Sequence, residues 1–311
     1  MMDSYNHQPV LLDEIITALA IKPEGVYLDA TFGRGGHSQA ILNRLNANGR
    51  LLAIDRDPEA AEFAKEKFGQ ESRLTFFKGP FACLQTFAQE QQVEGKVNGI
   101  LMDLGVSSPQ IDNPRRGFSF LQDGPLDMRM DTNNGDAVAT WLHRAKENEI
   151  ARVLFEYGEE RYSRRIARAI VRERLIEPIQ TTARLAAIVS AANPAWERHK
   201  HPATRTFQAL RIFINQELTE LQAGLDQALA ILATGGRLVV VSFHSLEDRI
   251  VKRFIRKHSK DESLPIELPV FASVMQPRLK SLGRSIKPSD EEIARNVRSR
   301  SAILRVAEKL V

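Results

Sequence analysis

Short apolar runs recur along the first third of the chain, and three of them end in an acid. The runs occupy 26–28, 50–54, 74–77 and 98–102, each before a polar or glycine-rich turn. Apolar residues at helical spacing follow at 38–45, and Asp57-Pro58 is typical of the start of another helix. Buried runs that alternate with amphipathic helices predict a parallel sheet covered by helices, which is the α/β class.

The predicted sheet is interrupted after its fourth strand. The next apolar strand pattern, 236–243, comes more than 130 residues after Asp103, and a structureless loop of that length is implausible in a compact domain. The intervening sequence has helical patterns at 136–142, 147–155, 162–175 and 182–191. We therefore predict an inserted all-helical domain at 111–212 and a sheet domain made of 1–110 and 213–311. Helices at 215–232 and 245–257 and a late strand at 301–306 complete the sheet domain.

The turn after the first strand carries candidate ligand-binding residues. Asp29 ends the strand, and Gly33, Gly35 and Gly36 follow before the helix. The turn lacks the third glycine of a dinucleotide fingerprint and the Gly-Lys-Ser/Thr of a P-loop. A carboxylate at this position is awkward beside a pyrophosphate, whereas it suits the amino group and sulfonium of S-adenosylmethionine. The alternative is a tight turn that is needed only for packing.

Later strand ends add to this candidate site. Asp55 ends the second strand about twenty residues beyond the glycines, where a carboxylate can accept the ribose hydroxyl hydrogens. Phe81 follows the third strand, and it is either a stacking surface for the adenine or a core aromatic. Asp103 ends the fourth strand. Because the carboxyl ends of parallel strands meet at one edge of the sheet, these residues predict one cofactor site.

The inserted domain carries a basic signal. Residues 151–212 contain 12 Arg and Lys against 6 Asp and Glu, whereas the formal net charge of the whole chain is +4. Arg161, Arg165, Arg168 and Arg172 are predicted to share one helical face. Arginine pairs bidentately with phosphate, so this face is a candidate RNA-binding surface, and a solvated face is the alternative. A basic loop that includes His199, Lys200 and Arg205 follows.

Composition places limits on the class of protein. The 311 residues include one cysteine, Cys83, which excludes an internal disulfide and a cysteine-rich metal site. No metal site is expected. The N-terminus is acidic rather than signal-like, and no apolar run is long enough for a membrane span, so we expect a cytoplasmic protein without a membrane partner. The sequence leaves the oligomeric state open, a homodimer included.

Seven segments together identify a family. They are 29–38, 53–57, 103–110, 117–120, 124–131, 201–211 and 242–249. In this order they resemble the RsmH (MraW) family of bacterial S-adenosylmethionine-dependent methyltransferases. The resemblance runs from Val10 to about Leu304, and 261–288 is its least distinctive part. It implies a class I (Rossmann-like) methyltransferase sheet. It also implies methylation of the N4 amine of a cytosine in the decoding region of 16S ribosomal RNA, within the small ribosomal subunit.

The candidate residues follow from these patterns and from the family's motifs. The cofactor-binding candidates are Asp29, Gly33, Gly35, Gly36, His37, Asp55, Phe81, Asp103 and Gln110. The catalytic candidates are Asp103, Ser107 and His244. The RNA-binding candidates are Arg161, Arg165, Arg168, Arg172 and Arg205. Asp103 lacks the Pro-Pro-aromatic continuation that amino-methyltransferases share, so it contacts the cofactor, the target amine or both. A lone histidine such as His244 is more often structural.

Three other functions are compatible with parts of the pattern. A nicotinamide dehydrogenase would share the sheet, but it should carry the third glycine of the loop. An RNA-binding protein without catalytic activity would keep the arginine face, but it does not need three acids at strand ends. A methyltransferase that acts on adenine N6 is the nearest rival, because only the resemblance specifies the target nucleotide.

Overall fold

The computed structural model describes residues 9–195, 201–259 and 276–311. The chain forms two compact units. The first unit contains Met1–Gly105 and Leu218–Val311, and the second contains Val106–Glu217. The second unit therefore extends about five residues beyond each end of the predicted 111–212 insertion. His199, Lys200 and most of 261–288 lie outside the described residues.

The strands are β1 (Val26–Asp29), β2 (Arg50–Asp55), β3 (Leu74–Lys78), β4 (Val97–Asp103), β5 (Leu232–Ser242), β6 (Leu279–Ser281) and β7 (Ile303–Lys309). The helices are α1 (Leu12–Leu19), α2 (Gly36–Leu42), α3 (Pro58–Phe68), α4 (Leu84–Glu90), α5 (Ser108–Asp112), α6 (Val138–Arg144), α7 (Glu147–Gly158), α8 (Ser163–Arg174), α9 (Thr182–Ala192), α10 (Thr204–Ile214), α11 (Glu217–Ile231), α12 (Ser245–Ser259) and α13 (Asp290–Arg295).

The first unit is a seven-stranded sheet in the order β3-β2-β1-β4-β5-β7-β6. Strands β1 to β5 pair in parallel, and β7 pairs antiparallel with both β5 and β6. The strand order reverses between β1 and β4, which opens a crevice at their carboxyl ends. The α/β class, the class I sheet and the helical insertion after the fourth strand are all as predicted.

The parallel strands form because their apolar runs can be buried on both faces. Leu51 and Leu52 in β2, and Ile100 and Leu101 in β4, have no exposed surface. Their side chains alternate between two core clusters, one on each side of the sheet. The site at the strand ends is consequently supported by a rigid apolar layer.

The second unit has a helical core of its own. Helices α7, α8, α9 and α10 bury one apolar face each, and Ile150, Leu154, Ile166, Ile170 and Leu210 are completely buried. The polar residues of the same helices lie on the opposite faces, as amphipathic spacing requires.

The loop before α6 contains the segment 124–131, which is one of the seven segments that resemble the RsmH (MraW) family. A Cβ at Gly117 would lie 2.3 Å from the carbonyl oxygen of Pro125, so only glycine permits this approach. Met128 is buried with a φ of 63°, and its backbone oxygen accepts a hydrogen bond from Nδ2 of the buried Asn215. Asn215 Oδ1 also accepts from the backbone of Met130. A buried amide thus holds a strained loop in one conformation.

Several predicted bounds differ from the observed ones. Helix α1 was not predicted, although its first turn carries Asp13 and Glu14. Strand β5 begins at Leu232 rather than at Gly236, because Leu232 already pairs with Val97 before a register shift. Strand β7 lies two to three residues later than the predicted strand, since Ala302 still belongs to the preceding turn. Among the described residues, no helix combines the length and apolarity that crossing a membrane requires.

The contact between α7 and α10 gives a first prediction. A Cβ at Gly158 would lie 2.6 Å from the backbone oxygen of Arg205 and 3.1 Å from Cβ of Ala209. Replacing glycine by alanine in a helix ordinarily stabilises it by about 0.5–1 kcal/mol. Here we expect Gly158→Ala to destabilise the second unit by on the order of 1–3 kcal/mol, the cost of overpacking. Thermal unfolding measures the change, and Glu156→Ala on the exposed face of α7 is the control. A stabilised Gly158→Ala variant would contradict this contact.

Candidate functional site

The end of β1 organises the glycine loop. The carboxylate of Asp29 is buried, and it accepts hydrogen bonds from Ser38 Oγ at 2.7 Å and from the backbone N–H of Thr31 at 3.1 Å. Burial raises the pKa of Asp29, although these hydrogen bonds and the nearby His37 oppose the rise. Asp29 therefore connects the start of the loop to α2.

Asp55 connects the same loop to β2. Its Oδ2 accepts a hydrogen bond from the backbone N–H of Gly33 at 2.8 Å, and its Oδ1 accepts one from the backbone N–H of Asp57 at 2.9 Å. Burial raises the pKa of Asp55 to about 6, and the charges of Asp57 and Asp29 add to the rise. Each carboxylate oxygen can accept a second hydrogen bond, so these contacts are compatible with the predicted ribose contact.

Asp103 is less well satisfied than the other two acids. Its Oδ1 is buried and has no hydrogen-bond partner among the described residues. Its Oδ2 lies 3.7 Å from Nδ1 of His37, and the side chain is 22% exposed. Burial raises the pKa of Asp103 to about 6, and the charges of Asp29 and Glu247 add to this, whereas His37 opposes it.

The glycines are required by packing at this point. Gly35 has a φ of 69°, and a Cβ there would lie 2.7 Å from the ring of Phe68. A Cβ at Gly36 would lie 2.6 Å from Cγ of Pro9. A side chain at Gly36 would therefore displace Pro9, so this glycine has a packing role in addition to the predicted ligand contact.

The remaining cofactor candidates have structural partners. Phe81 is partly buried against the apolar core beside Gly224 of α11. Part of its ring is therefore a core aromatic, as one of the two interpretations expected. Gln110 is in the second unit, where its Oε1 accepts from the backbone N–H of Ser107 at 2.9 Å. The two side chains form a capping box at the start of α5. The Ser-x-x-Gln spacing is a readable signal for that cap, and sequence reasoning missed it.

His244 is held by the turn that follows β5. Its Nε2 lies 3.1 Å from Oε1 of the buried Glu247, and its Nδ1 accepts from the backbone N–H of Glu247 at 3.4 Å. Glu247 Oε2 accepts from the backbone N–H of Phe243 at 2.9 Å. Both ring nitrogens of His244 therefore face one carboxylate-bearing turn, which favours the structural role already weighed for this residue.

The predicted arginine face is only partly helical. Arg165, Arg168 and Arg172 lie on α8, but Arg161 precedes the helix, which begins at Ser163. The expectation that all four share a helical face is therefore wrong for Arg161. The backbone of Glu159 has a φ of 48°, which separates α7 from the turn that contains Arg161.

Acids partly balance these arginines. Arg168 Nε lies 3.6 Å from Glu147, and Arg172 lies 3.0 Å from Glu173. Arg205 donates to the backbone oxygen of Glu159 at 2.7 Å, which satisfies a carbonyl just beyond α7. Exposed ion pairs of this kind contribute about 0–1 kcal/mol, so a phosphate can replace the glutamates.

A positively charged ligand would stabilise the ionised forms of the three strand-end acids. The charge of His37 opposes the raised pKa of Asp29 and of Asp103, whereas burial and the charges of neighbouring acids raise the pKa of Asp55. Ionised carboxylates in such a site are stabilised by a cationic ligand. S-adenosylmethionine carries an ammonium and a sulfonium, so the residues present fit this cofactor.

The sheet order and this acidic, glycine-bounded crevice define an S-adenosylmethionine-dependent methyltransferase of class I. The profile of the MraW methylase family matches residues 4–310, and the chain belongs to this family. The nicotinamide dehydrogenase and the RNA-binding protein without catalytic activity are thereby set aside.

Two relatives are similar over nearly the whole chain. A protein of Legionella pneumophila (strain Paris) named ribosomal RNA small subunit methyltransferase H is 55% identical over 304 residues, which covers 98% of this chain and 99% of the relative. A protein of the same name from Alteromonas mediterranea is 54% identical over 310 residues and covers 99% of each chain.

The partly buried carboxylate of Asp103 gives a second prediction. Because its pKa is raised on folding, the folded state loses stability as the pH rises from about 4 to 6. Without cofactor, Asp103→Asn should be more stable than the wild type above pH 6, by on the order of 1–3 kcal/mol. The difference should vanish below about pH 4. Urea unfolding at several pH values measures this difference in stability. Asp13→Asn, at an exposed position of α1, is the control. A variant less stable than wild type at pH 8 would refute the assignment.

Proposed function

We propose that this protein transfers a methyl group from S-adenosylmethionine to the exocyclic N4 amine of a cytosine in the decoding region of 16S ribosomal RNA. The proposal includes the small ribosomal subunit as the context and the cytoplasm as the location. The identity to relatives named ribosomal RNA small subunit methyltransferase H, at 55% over 98% of the chain, carries it. The acidic crevice is an argument for S-adenosylmethionine as the cofactor. The basic face of the second unit is an argument for RNA as the substrate.

The residues of the first unit account for cofactor binding. We assign the ribose to Asp55, the methionine part to the loop at Gly33, Gly35 and Gly36, and the cationic groups to Asp29 and Asp103. The exposed part of Phe81 is assigned to the adenine. When bound, S-adenosylmethionine supplies a methyl group on a cationic sulfur, which is a good leaving group.

The chemistry depends on position more than on acid strength. The lone pair of the cytosine N4 is delocalised into the ring, so N4 is a poor nucleophile. Holding reactants in line can lower the barrier by about 7–11 kcal/mol. The core beneath the strands makes Asp29, Asp55 and Asp103 a rigid frame for this purpose. Ser107 and His244 remain candidates for contacts with the cytosine. Each lies in a turn that its own side chain helps to stabilise.

The second unit is proposed to bind the RNA. The guanidinium groups of Arg165, Arg168 and Arg172 lie along α8. Phe155 on the neighbouring helix α7 is 64% exposed. Arginines bind phosphates, and an exposed aromatic ring can stack on an unpaired base. These features suit a single-stranded or looped RNA.

The direct test maps the methylated nucleotide. The protein is incubated with S-adenosylmethionine that carries a labelled methyl group and with small subunits that lack the modification. Label on N4 of one decoding-region cytosine supports the proposal. Label on adenine N6, or on no RNA, contradicts it. Parallel reactions with protein-free 16S RNA show whether the assembled subunit is required.

The ribose assignment gives a third prediction. Asp55→Ala should weaken S-adenosylmethionine binding by on the order of 1–3 kcal/mol, the range for losing hydrogen bonds to a charged group. Because Asp55 also holds the loop, calorimetry should include a cofactor analogue that lacks one ribose hydroxyl. The wild type should lose affinity for this analogue, whereas Asp55→Ala should bind both cofactors equally. Glu62→Ala on α3 is the control. Equal losses in wild type and Asp55→Ala would exclude the ribose contact.

The arginine face gives a fourth prediction. Arg165→Glu combined with Arg168→Glu should weaken RNA binding, and its salt slope should fall by roughly 0.7–0.9 for each phosphate that the variant no longer binds. Affinity for S-adenosylmethionine should stay unchanged. The matched control reverses two exposed charges on α3, Lys65→Glu with Lys67→Glu, which gives the same net charge. If both double variants bind RNA alike, α8 is an ordinary solvated face.

A further inference from the structure

The segment just before α1 lies on the glycine loop. Pro9 packs against Gly36, and the backbone oxygen of Val10 lies 3.1 Å from Nε2 of His37. The backbone N–H of Leu11 donates to Oε1 of Glu292 on α13 at 2.7 Å. Leu11 itself is buried, with a φ of 52°. The Val10 carbonyl is consequently fixed from both sides above the loop.

This carbonyl determines how the ring of His37 is used. A backbone oxygen only accepts hydrogen bonds, so Nε2 must carry a proton. The other nitrogen, Nδ1, is then the one that faces Oδ2 of Asp103 at 3.7 Å. His37 is buried, with 7% of its side chain exposed, so water does not screen the pair fully. The ring therefore faces the Asp103 carboxylate through Nδ1, and a positive charge on this ring favours the ionised carboxylate.

The other groups around Asp103 act in the opposite direction. The charges of Asp29 and Glu247 also act on Asp103, and both disfavour its ionised form. Within the described chain, His37 is the single group whose charge favours the carboxylate. Asp103 Oδ1 has no donor of its own among these residues.

We propose that His37 is a positioning residue that orients Asp103 and keeps it negatively charged for the cationic cofactor. The Val10 carbonyl fixes the ring, and the ring places Nδ1 beside Oδ2 of Asp103, where the charge of His37 favours the carboxylate. The role depends on S-adenosylmethionine as ligand and is independent of which nucleotide is methylated.

Two variants separate the two nitrogens of the ring. His37→Gln can keep a donor toward Val10 but removes the group that faces Asp103. His37→Asn can place its amide nitrogen near the position of Nδ1 but gives up the contact with Val10. Nuclear magnetic resonance of the Asp103 carboxyl carbon reports its pKa without any cofactor or substrate.

We expect the pKa of Asp103 to rise in His37→Gln, by on the order of one unit, because only Asp29 and Glu247 then act on it. His37→Asn should stay closer to wild type. Affinity for S-adenosylmethionine should fall several-fold in His37→Gln at pH 6, and the loss should be smaller at pH 8.5, where Asp103 is ionised in both proteins.

Any of three outcomes would overturn the proposal. One is an unchanged pKa of Asp103 in His37→Gln. Another is an affinity loss of equal size at pH 6 and pH 8.5, which would indicate a role in packing alone. A His37→Asn variant that is impaired more than His37→Gln would likewise assign the function of the ring to Val10. Labelling of the RNA is not part of this test, so failure here leaves the proposed substrate unaffected.

Discussion

The gathering of one buried and two partly buried carboxylates at one edge of the sheet is the constraint on which the site depends. Asp29, Asp55 and Asp103 end adjacent parallel strands, so the sheet order brings like charges together. Burial raises the pKa of each, which means that the folded protein bears a cost at neutral pH. A cationic cofactor bound at this edge would offset this cost, and binding and stability would then be linked.

Hydrogen bonds within the loop distribute this cost unevenly. Ser38 and Thr31 satisfy Asp29, and backbone donors satisfy Asp55, whereas Asp103 keeps one buried oxygen that has no donor among the described residues. The two satisfied acids shape the loop, and the third retains the capacity to respond to a ligand. Sites often keep such unsatisfied groups where function requires them.

Local patterns were sufficient to predict most of the sheet and the acidic edge. Strands β1 to β4 are short apolar runs with an acid or a turn after them, and that signal is contained in a few consecutive residues. The contact of Leu11 with Glu292 spans 281 positions, and nothing local in either segment indicates it. The same holds for Pro9 above Gly36. The sequence offered a ligand contact or a tight packing turn as reasons for that glycine, and the structure names Pro9 as its packing partner. Arg161 does not lie on the helical face because the turn at Glu159, which has a positive φ, places it before the start of α8. Spacing alone determines helix starts poorly.

The pairing of β4 with β5 also has a consequence for folding during synthesis. The two strands are neighbours in the sheet, yet roughly 130 residues separate Asp103 from Leu232. At a synthesis rate of about 5–20 residues per second, β4 waits on the order of ten seconds for its partner. During that interval its Ile100–Met102 run is an open, apolar strand edge, a template for association with other chains. Early folding of the inserted helices would shorten the effective loop, and each halving lowers the cost of closure by about 0.6 kcal/mol. The helical insertion would thus also assist the folding of the sheet that surrounds it in sequence.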